Sequence, residues 1–501
     1  MKILYIPLDE RPCNYKYPLQ IVEGVKDIEI IVPPMDILNK KKESADIERL
    51  WEFVKENIAQ CDYGILSLDM LIYGGLLPSR LHHYDTDILI KRCQAIRELK
   101  VLNPSIKLYG FNLIMRVPSY DSAEEEPDYY ATYGESIFKT SWLKDKLERG
   151  HGNEDEKAQY EVLLKHIPKE YFNDYFERRE NNYKVTEEAL NLVKEGIFED
   201  FVIPQDDSSL YGVQSQEQGK HRQTIRELSI ASKVYMYPGA DEVGCTLLSR
   251  IINNHEKKIP KVFVRFSSVK GAEIIPKYED RPYYETLKSH VISSGMCICD
   301  SSSESDLVLI MNTPGVEMIE SWEQNINLRT NTSHRNLNEI VIAMKNYINE
   351  GKKVILADVA YSNGGDLELL DLLREEGILH KLYAYGGWNT NGNTLGTVLA
   401  MGTAALYYGE NKKLLAYRLI EDCGYQALAR QKVINLLPSQ GLGYYDFKDK
   451  TAWVQEKTKE FLQQFINEKL TNGNEDATIK LTTVSFPWRR MFEVDLELEV
   501  E

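Results

Sequence analysis

Two adjacent carboxylates, Asp206 and Asp207, stand in the segment FVIPQDDSSLYG. If both enter a dry pocket they cannot both ionise cheaply, so one keeps a proton beside an anion. A glycosidase uses that combination: a protonated carboxyl donates to the leaving oxygen while an ionised group stabilises the developing positive centre. Successive residues of a strand point to opposite faces, so the pair can share a pocket only where the strand has turned into its loop. Pro204 before the pair and Ser208-Ser209 after it are residues suited to such a turn. Divalent-metal ligation and helix capping are the other uses of an Asp-Asp step.

Polar groups close most of the other apolar runs as well. The expected substrate-binding set is Asp9, Arg11, Asp69, Arg116, Gln205, Asp241, Glu242, Asp358, Trp388, Asn389 and Asn393. Any one Asp or Asn here has an ordinary alternative use as the N-cap of the helix that follows. Arg11 has another, a buried pair with an acid. In AYGGWNTNGNTLG, a Trp face beside amide side chains suits a sugar ring, whose C–H face stacks and whose hydroxyls bond. Thr390 or Asn391 could instead cap the next helix. No GxSxG elbow, Gly-Lys-Ser/Thr step or strand-following GxGxxG is present, which argues against serine-hydrolase, P-loop and dinucleotide chemistry.

Short runs rich in Ile, Val, Leu and Tyr position these groups: Lys2–Leu8, Ile28–Val32, Tyr63–Leu68, Lys107–Met115, Phe201–Pro204, Lys233–Tyr237, Val262–Phe266, Leu307–Met311, Val354–Ala357 and Leu382–Tyr385. Most precede a segment of helical period, the signature of a parallel α/β sheet, whose C-terminal strand ends share one face. The expected fold is α/β: a TIM-barrel-like (β/α) body over residues 1–410, with a helical insertion at 117–198. A C-terminal α+β appendage of helices and a strand pair follows over 411–501.

Hydrophobic residues at 43% and charged residues at 27% are ordinary globular values. The net charge of −17 opposes a phosphate backbone, so nucleic acid is not an expected partner. No window is apolar for the length of a membrane span, and MKILYIPLDERP meets charge too soon for a signal peptide, which predicts a cytoplasmic protein with no membrane partner. The seven Cys and nine His are dispersed, so neither a zinc site nor any other cofactor is expected.

LDERP, YGGLLPSR, MRVPSYDSAEEEPDYY, PQDD, YPGADEVG, YGGWNTNGNTLG and FPWRRMFEV together resemble an uncharacterised bacterial family, domain of unknown function 4127, over nearly the whole chain. The family implies no activity. Separately, the Asp206-Asp207 step and, more loosely, Trp388-Asn389 are similar to the TIM-barrel β-N-acetylhexosaminidases. That resemblance implies that Asp206 orients the substrate acetamide as it closes to an oxazoline and that Asp207 is the general acid and base.

The expected activity is therefore hydrolysis of a glycosidic bond, on N-acetylated sugars in the form the resemblance suggests. The first alternative is a divalent-metal hydrolase with Asp9, Asp69, Asp206 and Asp358 as oxygen ligands. The second is a sugar-binding protein without catalysis.

Overall fold

The computed structural model describes residues 1–324, 333–471 and 479–500. Each of the ten apolar runs becomes a parallel strand, because a strand covered on both faces is apolar throughout. In chain order the first are β1 (Lys2–Ile6), β2 (Glu29–Ile31), β3 (Tyr63–Ser67), β4 (Lys107–Phe111), β5 (Phe198–Gln205) and β6 (Val234–Pro238). They form one sheet in the order β2-β1-β3-β4-β5-β6. Next come β7 (Lys261–Phe266), β8 (Cys297–Cys299), β9 (Leu307–Asn312), β10 (Ile319–Glu320), β11 (Val354–Asp358), β12 (Tyr361–Ser362) and β13 (Ala384–Gly386). Five of these make a second parallel sheet, β13-β11-β9-β7-β8, and β10 pairs with β12. All residues of β3, β9 and β11 are buried.

The parallel α/β expectation holds. The strands pair into two separate parallel sheets. Numbered within their own sheets, the first runs second-first-third-fourth-fifth-sixth and the second runs second-first-third-fourth-fifth. Contacts divide the chain into two units. One comprises Met1–Glu10, Gly24–Gly244 and Tyr278–Asp280; the other comprises Arg11–Glu23, Cys245–Lys277 and Arg281–Glu501. Each sheet lies within one unit.

Between β4 and β5 the first unit carries helices Tyr130–Glu148, Glu154–His166 and Lys169–Lys194. Tyr130, Ile137, Ile167 and Tyr175 pack with Met115 and Val117 in one apolar cluster, which ties these helices to the chain leaving β4. In the second unit, residues 411–501 contribute helices and the antiparallel pair β14 (Ile479–Ser485) and β15 (Asp495–Val500). No described helix is long and apolar enough to cross a membrane.

Candidate functional site

Strand β5 ends at Gln205, and the chain turns at once: Asp207 lies in the left-handed region with φ 42°. That turn is the break in strand alternation that lets two consecutive side chains serve one locus. Gln214 holds it by donating from Nε2 to the carbonyls of Asp206 at 2.7 Å and Asp207 at 3.0 Å. Alongside, the segment after β4 follows β5, with Ile114 N–H donating to the Pro204 carbonyl at 2.9 Å. Arg116 is thereby delivered beside the Asp-Asp step.

Two arginines organise the locus. Arg80 Nη2 lies 2.5 Å from Asp206 Oδ2, and Arg116 Nη1 lies 3.2 Å from Asp207 Oδ2. Both also reach the acidic loop 124–126: Arg80 Nη1 is 3.2 Å from Glu125 and 3.1 Å from Glu126, and Arg116 is 2.8 Å from Glu125 and 2.9 Å from Glu126. Lys42 Nζ fixes that loop by donating to the Glu126 carbonyl at 2.9 Å, and Lys41 Nζ meets Glu124 at 2.8 Å. From the long helix, Tyr175 donates its hydroxyl to the Arg116 carbonyl at 3.0 Å, and Arg179 Nη1 donates to the Met115 carbonyl at 2.7 Å.

Arg80 reaches the locus because the helix Leu76–Leu81 starts from the turn Gly74-Gly75, at φ 91° and 127°. A Cβ on Gly74 would strike the Ala45 backbone N–H and the Ser44 side chain, so only glycine fits.

Two guanidiniums face four carboxyls, and the imbalance shows at Asp207. Burial, and next the charge of Asp206, push its carboxyl up to about 6 against the opposing pull of Arg116 and Arg80. Its side chain keeps 30% exposure, twice that of Asp206 at 15%, so it is the member of the pair open to a ligand. Tyr120, 49% exposed, lies within electrostatic range of both Arg116 and Asp207.

Asp69, fully buried after β3, is raised to about 7 by burial, with the Asp206 charge adding to it and the Leu113 N–H and Asn112 amide opposing. Gln205 is buried and reaches Asp280 Oδ2 at 3.4 Å. Asp9 is buried at the end of β1, and Glu242 is buried after β6 with Asp241 half-buried beside it. Gly239, at φ 142°, leaves the room that the Glu242 carboxylate occupies.

The other expected residues belong to the second unit and form their own groups. Arg11 pairs with Glu493 at 3.0 Å, the buried ion pair that was its alternative. Asp358 ends β11 and accepts from Asn312 Nδ2 at 2.8 Å, from the Asp366 N–H at 2.8 Å and from the Tyr385 hydroxyl at 2.9 Å. Burial and then the Asp366 charge raise it to about 7. Arg335 pairs with Asp366 at 2.7 Å.

The expected stacking face of Trp388 is a correction. The side chain is 4% exposed, with its ring edge-on to Tyr17 at 6.4 Å and tilted against Phe492 at 6.5 Å, so its surface is spent on packing. Thr390 caps the helix Asn391–Tyr408, accepting from the Asn393 N–H, and Asn393 Nδ2 donates to Asn389 Oδ1 at 2.6 Å. Among the described residues no group of three or more His, Cys, Asp or Glu is placed to hold a metal ion.

The buried carboxyls give the fold a pH dependence. Asp69 and Asp358 near 7, and Glu421 raised by burial to about 8, hold protons in the native chain that the unfolded chain releases above about pH 4. A native state that binds more protons loses stability as pH rises. The melting temperature is therefore expected to fall from about pH 4 to about pH 8 and to level off above that, and Asp69→Asn to reduce that fall; thermal melts across this window check both.

Fold and site together define an α/β protein of two parallel-sheet units, with a half-buried, arginine-braced carboxyl cluster at the strand ends of the first. The chain belongs to the family described as protein of unknown function (DUF4127), whose model matches residues 3–497. No curated protein matches it.

Proposed function

We propose that the protein is a cytoplasmic glycoside hydrolase acting on N-acetylated sugars, with Asp207 as general acid and base and Asp206 as its charged partner. One observation carries this: Asp207 is held near 6 beside Asp206, in a turn that gives both side chains one locus. A proton donor that titrates near the working pH suits protonation of a leaving oxygen. Asp206 is held by Arg80, and in this reading its carboxylate orients the substrate acetamide and opposes the positive charge that develops there. Tyr120 offers the ring face that a pyranose stacks on, in place of Trp388. Only strand ends gathered on one face are needed, a property common to barrels and open doubly wound sheets.

A thermal-shift comparison tests the substrate class, since a ligand bound only by the native state raises the melting temperature. N-acetylated sugars are expected to stabilise the native protein, and Tyr120→Ala to weaken that shift. Stabilisation by Mg²⁺ or Mn²⁺ that is reversed by chelator, with none from sugars, would replace the glycosidase with a metal hydrolase.

A further inference from the structure

Arg430 in the second unit is 1% exposed, yet its Nε and Nη1 have no hydrogen-bond partner among the described residues. Its Nη2 donates to the carbonyl of Asn363 at 3.3 Å. Among the described residues no carboxylate lies within ion-pair distance of it. Every other fully buried arginine of this unit has one: Arg418 has Asp422 and Glu421, Arg335 has Asp366, and Arg490 has Glu493. Glu493 already serves both Arg490 and Arg11.

What surrounds Arg430 is aromatic. Its Cζ stands 5.3 Å from the Trp322 ring centre and 6.0 Å from that of Phe492. Trp322 is 40% exposed and Phe492 is half-buried, so solvent lies beyond both rings. On Phe492 also leans Trp388, whose indole Nε1 is buried without an acceptor. The loop that gives Arg430 its carbonyl is joined to the Trp388-Asn389 segment, because the Asn363 N–H donates to the Asn389 carbonyl at 2.8 Å. Asn363 holds the left-handed conformation, φ 56°, that turns its carbonyl to this use.

Aromatic faces compensate a guanidinium only in part, because cation–π contact is weaker than the cost of burying an ion without a counter-charge. Buried donors are nearly always satisfied by protein, water or ligand. Two donor-only groups, Arg430 and the Trp388 indole, flank one ring, and donor-only groups select an acceptor. We propose that they form a binding site for a small oxyanion, a carboxylate or a phosphate, that enters past Trp322 and Phe492. The site is independent of the chemistry assigned to Asp207.

The test uses the full chain and Arg430→Met, melted in sodium chloride, sodium phosphate and sodium citrate at equal ionic strength. Phosphate or citrate is expected to raise the native melting temperature by several degrees, saturably, above the chloride value. Which of the two acts tells phosphate from carboxylate. Arg430→Met is expected to lose that shift and, in chloride, to melt no lower than the native chain, since removing an uncompensated buried charge is not destabilising. Equal responses of the two proteins to both anions would overturn the site. Should the variant fail to fold, calorimetric titration of the native chain with phosphate and with citrate decides: heats that saturate support the site, and their absence from both removes it.

Discussion

Asp207→Asn is expected to reduce turnover of an aryl N-acetylglycosaminide by about 10²–10⁴-fold, the range that a positioned general acid contributes. The variant should fold, because Arg116 keeps Glu125 and Glu126 as partners when Asp207 loses its charge. The loss should grow as the aryl leaving group becomes poorer, since a poor leaving group depends on receiving the proton. Native kcat/KM should decline as pH rises through about 6, where Asp207 gives up that proton, and the variant's profile should lack this limb. Full activity in the variant, or an unchanged limb, would remove Asp207 from the chemistry. Intact sugar binding with no native turnover on any glycoside would leave a binding protein instead.

The largest expected loss of stability is at Arg80. Its side chain is 2% exposed and faces Asp206, Glu125 and Glu126 at 2.5, 3.2 and 3.1 Å. Arg80→Met leaves those carboxylates without one of their two cations, and deleting one partner of a buried charge pair costs about 3–5 kcal/mol. Denaturant unfolding at several pH values checks this. The deficit should shrink as pH falls, because protonation relieves the uncompensated acids; a deficit constant with pH would mean lost packing alone. Arg80→Lys is expected to recover little, since a point ammonium cannot address three carboxylates from a planar fork.

Much of this was legible in the chain. Ten apolar runs were enough to place ten strands, since a parallel strand buried on both faces is apolar throughout. The two-residue β10 and β12 are too short to leave a periodic trace, and β8 sets a single Ile between two Cys. Strand order is written in long-range pairing, which local periodicity does not carry, so the runs alone did not say that they divide between two sheets. The Asp206-Asp207 turn was legible because Pro and Ser punctuate it.

The arginine brace was not legible in the same way. Arg80 and Asp206 are 126 residues apart, and nothing local in YGGLLPSR points toward PQDD. Glu125 and Glu126 stand in a conspicuous acidic run, but such a run is usually a solvated surface, and only the structure turns it inward. Trp388 failed in the opposite sense: residue type promises a flat face, while Tyr17 and Phe492 decide whether that face is available.

The helices between β4 and β5 look, in the sequence, like a removable module. Tyr175 and Arg179 make them something else, because they hold the main chain at Met115 and Arg116 from behind. Excising residues 117–198 would not yield a smaller working version of this protein. It would take away Glu125 and Glu126 with the loop and release the strand end that presents Arg116, so the inserted segment is the keystone of the locus and any natural trimming of the chain must begin elsewhere.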